Sequence, residues 1–187
     1  MKRMLFAALL IASSPAFAGG YFGLGANRNT ADTDLQDDTS TSATVFGGWQ
    51  ISPNFGLEAG YTDLGNFFVI NDGNFMDKVE ASALYAAVVG KFAVSQSISL
   101  FAKAGMAQWD ISNELSQKSY TTDAKGNVIT DYALLASADS DGTDPVASVG
   151  VEAALGGGVS LRGEFTRFMD VGDVDIDSTS LSAVLRF

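Results

Sequence analysis

Five charged side chains are the residues of this sequence best placed to do chemistry: Glu58, Lys103, Glu152, Arg162 and Glu164. Carboxylates can act as general acids or bases, and beside lysine and arginine they can form ion pairs. The sequence contains no histidine and no cysteine, so the commonest general base, the thiol nucleophile and the usual nitrogen and sulfur metal ligands are missing. Serine, aspartate and glutamate occur in no motif that activates a nucleophile. We therefore expect no catalytic residue, no metal ligand and no cofactor, and ion pairing becomes the favoured chemistry.

Two clusters of aspartates form a second pattern, one that could bind a cation. Residues 173–177 read DVDID and residues 139–144 read DSDGTD. A calcium loop needs glycine at its sixth position and glutamate at its twelfth. The first cluster lacks both and has Val184 at the twelfth position, and the second cluster is similarly incomplete. Solvated loops are the favoured interpretation. The alternative is that divalent cations bridge these loops to anionic lipopolysaccharide.

The strands that must position the five charges are recognised most clearly in residues 146–168. Val149, Val151 and Leu155 alternate with polar or small residues, and after Gly156-Gly157-Gly158 the alternation resumes. Successive side chains of a strand point to opposite faces, so this stretch predicts a hairpin with one apolar face and one charged face. The same pattern recurs along the chain without a helical segment to cover it. That arrangement is typical of a transmembrane β-barrel, apolar toward lipid and polar toward the lumen.

The whole chain can be divided in this way into about eight strands. Short uncharged turns are predicted at residues 52–54, 95–97 and 156–158, and long, aspartate-rich loops at residues 27–42, 63–78, 110–144 and 169–177. The third of these could instead extend the barrel as a hairpin outside the membrane. Short periplasmic turns and long outer loops fit an eight-stranded antiparallel up-and-down transmembrane β-barrel.

The predicted register places all five charged residues in the lumen, because lysine or arginine facing lipid near the midplane would cost about 2–4 kcal/mol. It also turns Lys91 inward near a short turn. Several aromatic residues fall near predicted strand ends and could form interfacial girdles, in preference to a surface for stacking sugars. They are Tyr21, Trp49, Phe55, Tyr61, Phe92 and Phe187.

The first eighteen residues have the features of an export signal. Lys2 and Arg3 precede the apolar run 4–12, and Ala16 and Ala18 form an A-x-A cleavage site. The run is shorter than the roughly 20 residues that span a bilayer, and a buried helix of the folded protein is the alternative. We expect a signal peptide at residues 1–18, a barrel domain at 19–187, and localisation in the outer membrane of a Gram-negative type of cell.

Charge and composition restrict the partners. The formal net charge is −11, so the processed chain would carry about −13 after loss of Lys2 and Arg3, which argues against nucleic-acid binding. With 47% hydrophobic residues, the acidity does not imply disorder. We expect outer-membrane lipid and lipopolysaccharide as partners, no nucleic acid, and a monomer.

Three stretches resemble the transmembrane domain of the OmpA family. Residues 44–67, TVFGGWQISPNFGLEAGYTDLGNF, are similar to its second hairpin, and residues 101–109 and 149–168 to its fifth to seventh strands. The final Arg186-Phe187 matches the ending by which the barrel-assembly machinery recognises such chains. The resemblance covers the barrel alone, so tethering to peptidoglycan through a further domain is not expected.

The resemblance implies that Glu58 and Arg162 form an ion pair that blocks the lumen, with Glu152 in the same network. The family's lysine on the fourth strand has no clear counterpart, and Lys91 or Lys103 could replace it. Two readings of the charges stay open: they hold the small barrel together, or they line a regulated ion path. The expected function is accordingly a structural and surface-interaction barrel, with a narrow porin-like channel as the alternative and an enzyme as the least favoured class.

Overall fold

The computed structural model describes residues 19–31, 38–72, 75–122, 128–172 and 174–187. Residues 1–18, with the predicted cleavage residues Ala16 and Ala18, lie outside the described residues. Among the residues that are described, no helix is long and apolar enough to cross a membrane.

The described residues form eight antiparallel strands, each hydrogen-bonded to the next, and the last pairs with the first to close a barrel. This confirms the predicted fold class. The strands are β1 Gly20–Ala31, β2 Asp38–Gln50, β3 Phe55–Asp72, β4 Phe75–Ala93, β5 Ile98–Thr122, β6 Val128–Gly156, β7 Val159–Val171 and β8 Val174–Arg186.

The apolar faces of the strands point outward and form a continuous belt. On β6, for example, Val149 and Val151 are exposed while Ser148 and Glu152 are buried, which is the alternation predicted from the sequence. Every strand contributes at least one exposed large apolar side chain to the belt: Leu24, Trp49, Leu57, Val88, Leu100, Val151, Leu161 and Leu185, from β1 to β8. In water such a belt would be unfavourable, whereas it matches the hydrocarbon of a bilayer.

One end of the barrel carries both chain ends of the described fold and the three predicted short turns, and we call it the short-turn end. There the Gln50 amide donates to the Gly19 carbonyl (2.9 Å) and the Phe187 amide to the Gly20 carbonyl (3.0 Å). The turn between β6 and β7 contains Gly157 and Gly158 at φ values of 62° and 80°, a left-handed conformation that glycine adopts without strain.

We call the opposite end of the barrel, where β5 ends at Thr122 and β6 begins at Val128, the long-strand end. Most of the loops predicted there are wrong. The stretches 27–42, 63–78 and 169–177 are mostly ladder: β1 runs to Ala31, β3 to Asp72 and β7 to Val171. The physical reason is that water wets both faces of a strand beyond the membrane. Alternation therefore disappears from the sequence while backbone pairing continues.

The hairpin of β5 and β6 shows the same effect most clearly. These strands have 25 and 29 residues, although about 9–11 residues suffice to cross a bilayer. The alternative that residues 110–144 extend the barrel as a hairpin is confirmed, with Thr122 paired to Val128 at its far end.

The outward face of β6 supports a depth-dependent prediction. Val151→Lys lies near the middle of the membrane-crossing part of β6, whereas Leu155→Lys lies beside the short turn on the same face. We expect Val151→Lys to lower the free energy of unfolding by about 2–4 kcal/mol and Leu155→Lys by about 0–1 kcal/mol. Urea unfolding in lipid vesicles measures both values, and equal losses would mean that Val151 does not face hydrocarbon.

Candidate functional site in the barrel lumen

Glu58, on β3, is the centre of the charged lumen and is only 2% exposed. Its Oε1 accepts hydrogen bonds from Lys103 Nζ (2.6 Å) and the Tyr85 hydroxyl (2.9 Å). Its Oε2 accepts from Arg162 Nη1 (2.6 Å) and the Tyr21 hydroxyl (2.8 Å). Four donors from four other strands therefore satisfy one carboxylate, which is what a buried charge requires.

Arg162, on β7, joins Glu58 to a second carboxylate. Its Nη2 and Nε donate to Oε2 of Glu152 on β6, at 3.0 and 3.3 Å, and the two residues are direct cross-strand partners. The other oxygen of Glu152 accepts from Lys91 Nζ (3.0 Å) and from Arg186 Nη2 (2.5 Å). The guanidinium thus bridges two glutamates, using the fork of donors that lysine lacks.

Lys103, on β5, extends the row in the other direction. Its Nζ lies 2.5 Å from Oε1 of Glu164, which also accepts from the Thr166 hydroxyl (3.0 Å). The structure therefore brings all five residues proposed from the sequence into one row, here called the lumen network: Glu164, Lys103, Glu58, Arg162 and Glu152. Both candidate lysines take part, Lys103 inside the row and Lys91 at its short-turn end.

Aromatic rings surround the two cations of the lumen network. The Arg162 guanidinium carbon lies 4.8 Å from the centre of the Phe46 ring and 4.7 Å from that of Phe101. Lys103 Nζ lies 5.1 Å from the centre of the Tyr85 ring. Such contacts stabilise a cation that has left water.

Glycines make room for these rings. Five of the buried rings lie over a glycine on the neighbouring strand, where a Cβ atom would come closer than 3 Å to the ring. The pairs are Tyr21 over Gly48, Phe46 over Gly23, Tyr85 over Gly60, Phe101 over Gly150 and Trp109 over Gly142. The barrel therefore alternates large and small residues inward and fills its own lumen.

The space left at the Glu164 end of the lumen network is small. The cavity beside Lys103 and Glu164, bordered by Thr44, Ser148 and Thr166, has a volume of about 20 Å³. A site of roughly 10–15 Å³ holds one water molecule, so this cavity has room for about one water molecule.

Sequence reasoning missed or misplaced some members of the site. Tyr21 was expected in an aromatic girdle, but it is 4% exposed and donates to Glu58, so that assignment is wrong. Tyr85 was overlooked, and Arg186 was considered only as an assembly signal although it pairs with Glu152. The alternation of β1 and β4 already places Tyr21 and Tyr85 inward, and that signal could have found both. The other five girdle candidates are exposed on the outer face: Trp49, Phe55, Tyr61, Phe92 and Phe187.

The aspartate clusters make local contacts. Asp139 accepts from the Ser112 hydroxyl (3.0 Å), and Asp144 from the Trp109 indole nitrogen (2.6 Å). Asp175 accepts from the Asp170 amide (3.1 Å), while Asp173 lies outside the described residues. Within the described part of the chain, no group of three acidic, histidine or cysteine residues is placed to hold a metal ion.

Comparison with known proteins identifies this architecture. Residues 4–187 match the family described as the outer membrane protein beta-barrel domain. The chain belongs to this family. It is 28% identical over 157 residues to outer membrane protein A of Klebsiella pneumoniae, a match that covers 82% of this chain and 40% of that protein. The chain thus spans about 40% of the length of that relative, and the predicted resemblance to OmpA is confirmed.

Solved structures share the fold at low sequence identity. Ail of Yersinia pestis, solved with the heparin analogue sucrose octasulfate, superposes with a TM-score of 0.62 at 11% identity, over 91% of this chain and 100% of Ail. Neisserial surface protein A gives a TM-score of 0.59 at 15% identity, over 91% and 98% of the two chains. The N-terminal barrel of Pseudomonas aeruginosa OprF gives 0.55 at 8% identity, over 91% and 100%. The likeness establishes the fold, a barrel of the outer-membrane type.

The burial of Glu58 leads to a prediction about stability. Glu58→Gln keeps the shape of the side chain but leaves Lys103 and Arg162 without a shared counter-charge, so we expect a loss of about 3–5 kcal/mol in the free energy of unfolding. Asp177→Asn removes the partner of Arg167 in an exposed pair, and here we expect a loss of about 0–1 kcal/mol. Unfolding in urea, in the same vesicles, compares the two. A loss at Glu58 no greater than that at Asp177 would show that the lumen is hydrated.

Proposed function

We propose that this protein is an integral outer-membrane barrel with a closed lumen, whose role is structural and interactive at the cell surface. The observation that carries the proposal is the unbroken row of the lumen network, in which each neighbouring pair is 3.0 Å apart or closer. A row of ion pairs across the interior, packed between rings, leaves no continuous water path through that section.

The energetics of the row support closure over conduction. Eight strands enclose a lumen that side chains alone can fill. A solute that passed would have to separate Arg162 from Glu58, and parting buried, paired charges costs several kcal/mol. The alternative, a narrow porin-like channel for ions or small solutes, requires the row to open and re-form rapidly.

The long-strand end supplies the interaction surface in this proposal. The hairpin of β5 and β6 extends well past the membrane, and aspartates are exposed around it, including Asp139, Asp141 and Asp170. Ail was solved with a sulfated sugar analogue, but an acidic surface would repel such a polyanion. We therefore propose lipopolysaccharide, bridged through divalent cations, as the partner of these loops.

Biogenesis and assembly state complete the proposal. Phe187 ends the described chain beside β8 with its ring exposed, accessible to an assembly factor, which supports the role proposed for Arg186-Phe187. The apolar belt includes a side chain from every strand, so lipid can surround the barrel, which supports a monomer. Export would depend on residues 1–18, with cleavage after Ala18.

A closed lumen predicts that the protein does not conduct ions. We expect the purified protein in planar lipid bilayers at neutral pH to give no stable single-channel steps, because the lumen network fills the narrow section. A large porin inserted under the same conditions serves as the positive control, and a heat-dependent shift of the sample in SDS gels verifies that the barrel is folded. Reproducible steps of a discrete size would support the narrow channel instead.

The orientation of the barrel gives a second prediction. An epitope tag inserted within residues 123–127, between β5 and β6, should bind antibody on intact cells, because the long-strand end faces outward in this proposal. The same tag inserted at residues 95–97 should bind only after the outer membrane is permeabilised. The reverse labelling pattern would contradict the proposed surface role.

A further inference from the structure

A second, larger cavity lies at the short-turn end, where the lumen opens beside Glu152, and we call it the inner mouth. Its volume is about 280 Å³. Lys91, Arg186, Ser97, Ser99 and Ser160 line it, together with residues of the glycine turn between β6 and β7. It is thus more than ten times roomier than the cavity within the lumen network, and it opens on the side of the short turns.

The charges around the inner mouth do not balance. The lumen network contains three carboxylates and two cations, so it carries one negative charge in excess. One further cation would neutralise it, yet Lys91 and Arg186 both approach the same oxygen of Glu152, at 3.0 and 2.5 Å. Glu152 is the single carboxylate among the described residues that line the cavity. The side chains that line the cavity therefore carry one net positive charge.

The two cations are also accessible, unlike the carboxylate they share. The side chains of Lys91 and Arg186 are 17% and 30% exposed, against 3% for Glu152. An ammonium group has three N–H donors and a guanidinium has five, and Glu152 accepts one from Lys91 and two from Arg186. Further donors thus remain at the cavity, beside the serine hydroxyls.

We propose that the inner mouth is a binding site for a phosphate group, either free inorganic phosphate or the headgroup of an anionic phospholipid in the periplasmic leaflet. A phosphate presents several oxygens in a tetrahedral arrangement and can accept from the lysine, the arginine fork and a serine hydroxyl together. The aspartate-rich long-strand end repels anions, whereas the side chains lining the inner mouth carry a net positive charge. A phosphate group would bind at the inner mouth whether or not the lumen conducts.

The test is a titration followed by NMR. Protein purified from the membranes of an expressing Gram-negative cell is kept in uncharged, phosphate-free maltoside micelles, and sodium phosphate is added against sodium chloride of equal ionic strength. We expect saturable shifts of the Ser97, Ser99 and Gly158 amides and of the Arg186 side-chain Nε–H. A second arm adds short-chain phosphatidylglycerol, with phosphatidylcholine as its control. Shifts with inorganic phosphate identify the free anion as a sufficient ligand, and shifts with phosphatidylglycerol alone identify the headgroup.

Variants separate a site from general attraction. Lys91→Gln and Arg186→Gln should each weaken binding about tenfold, since each removes a charge-assisted hydrogen bond, and Lys91→Arg should retain it. Arg167→Gln makes the same change of charge at the opposite end and should leave the affinity unaltered. The heat-dependent gel shift verifies that each variant is folded. If a variant does not fold, the wild-type titration alone still shows whether phosphate binds. No saturable shift with either phosphate source, or equal weakening by Lys91→Gln and Arg167→Gln, would overturn the proposal.

Discussion

The structure depends on one constraint: in hydrocarbon, every backbone N–H and C=O must find its partner within the protein. A sheet meets this condition only when its last strand pairs with its first, as β8 does with β1 through eleven residues from Tyr21↔Arg186 to Ala31↔Ile176. Closure then creates an interior as well as an exterior. With eight strands that interior is too narrow for bulk water, so the sequence must fill it with its own side chains.

The way the interior is filled explains why charges are tolerated there. Five of the inward rings lie over a cross-strand glycine, and the remaining width is occupied by long polar side chains that reach the centre. A carboxylate in that position is stable only if several donors converge on it, as Tyr21, Tyr85, Lys103 and Arg162 do on Glu58. The tyrosines therefore have a double role, since their rings fill space above glycine and their hydroxyls satisfy the acid. Truncating either tyrosine would therefore remove both a packed ring and a hydrogen bond to Glu58.

Sequence reasoning succeeded where lipid imposes a strict period and failed where it does not. Along β6 and β7 an error of one residue would have turned Glu152 and Arg162 toward hydrocarbon. Alternation alone therefore determined which residues of these strands face the lumen. Beyond the membrane, both faces meet water, and the ladder between Asn27↔Ser42 and Ala31↔Asp38 has a composition that resembles a loop. The partners inside the lumen were a different problem. Glu58 and Arg162 are 104 residues apart in sequence, and the tilt and stagger of the strands, which no local pattern encodes, decide which inward residues meet.

The need to pair buried charge also accounts for the difference between the two ends of the molecule. The charges of the lumen network alternate in sign, so each is paired with an opposite charge and can remain dry, while any net imbalance must lie where water can solvate it. At the long-strand end that imbalance is acidic, distributed over strands that continue past the bilayer. At the short-turn end the turns carry no charged side chain, and the imbalance among the side chains is basic and concentrated in Lys91 and Arg186. The unpaired side-chain charges at the two ends of the barrel thus differ in sign, as expected if unpaired charge is excluded from the section that lipid surrounds.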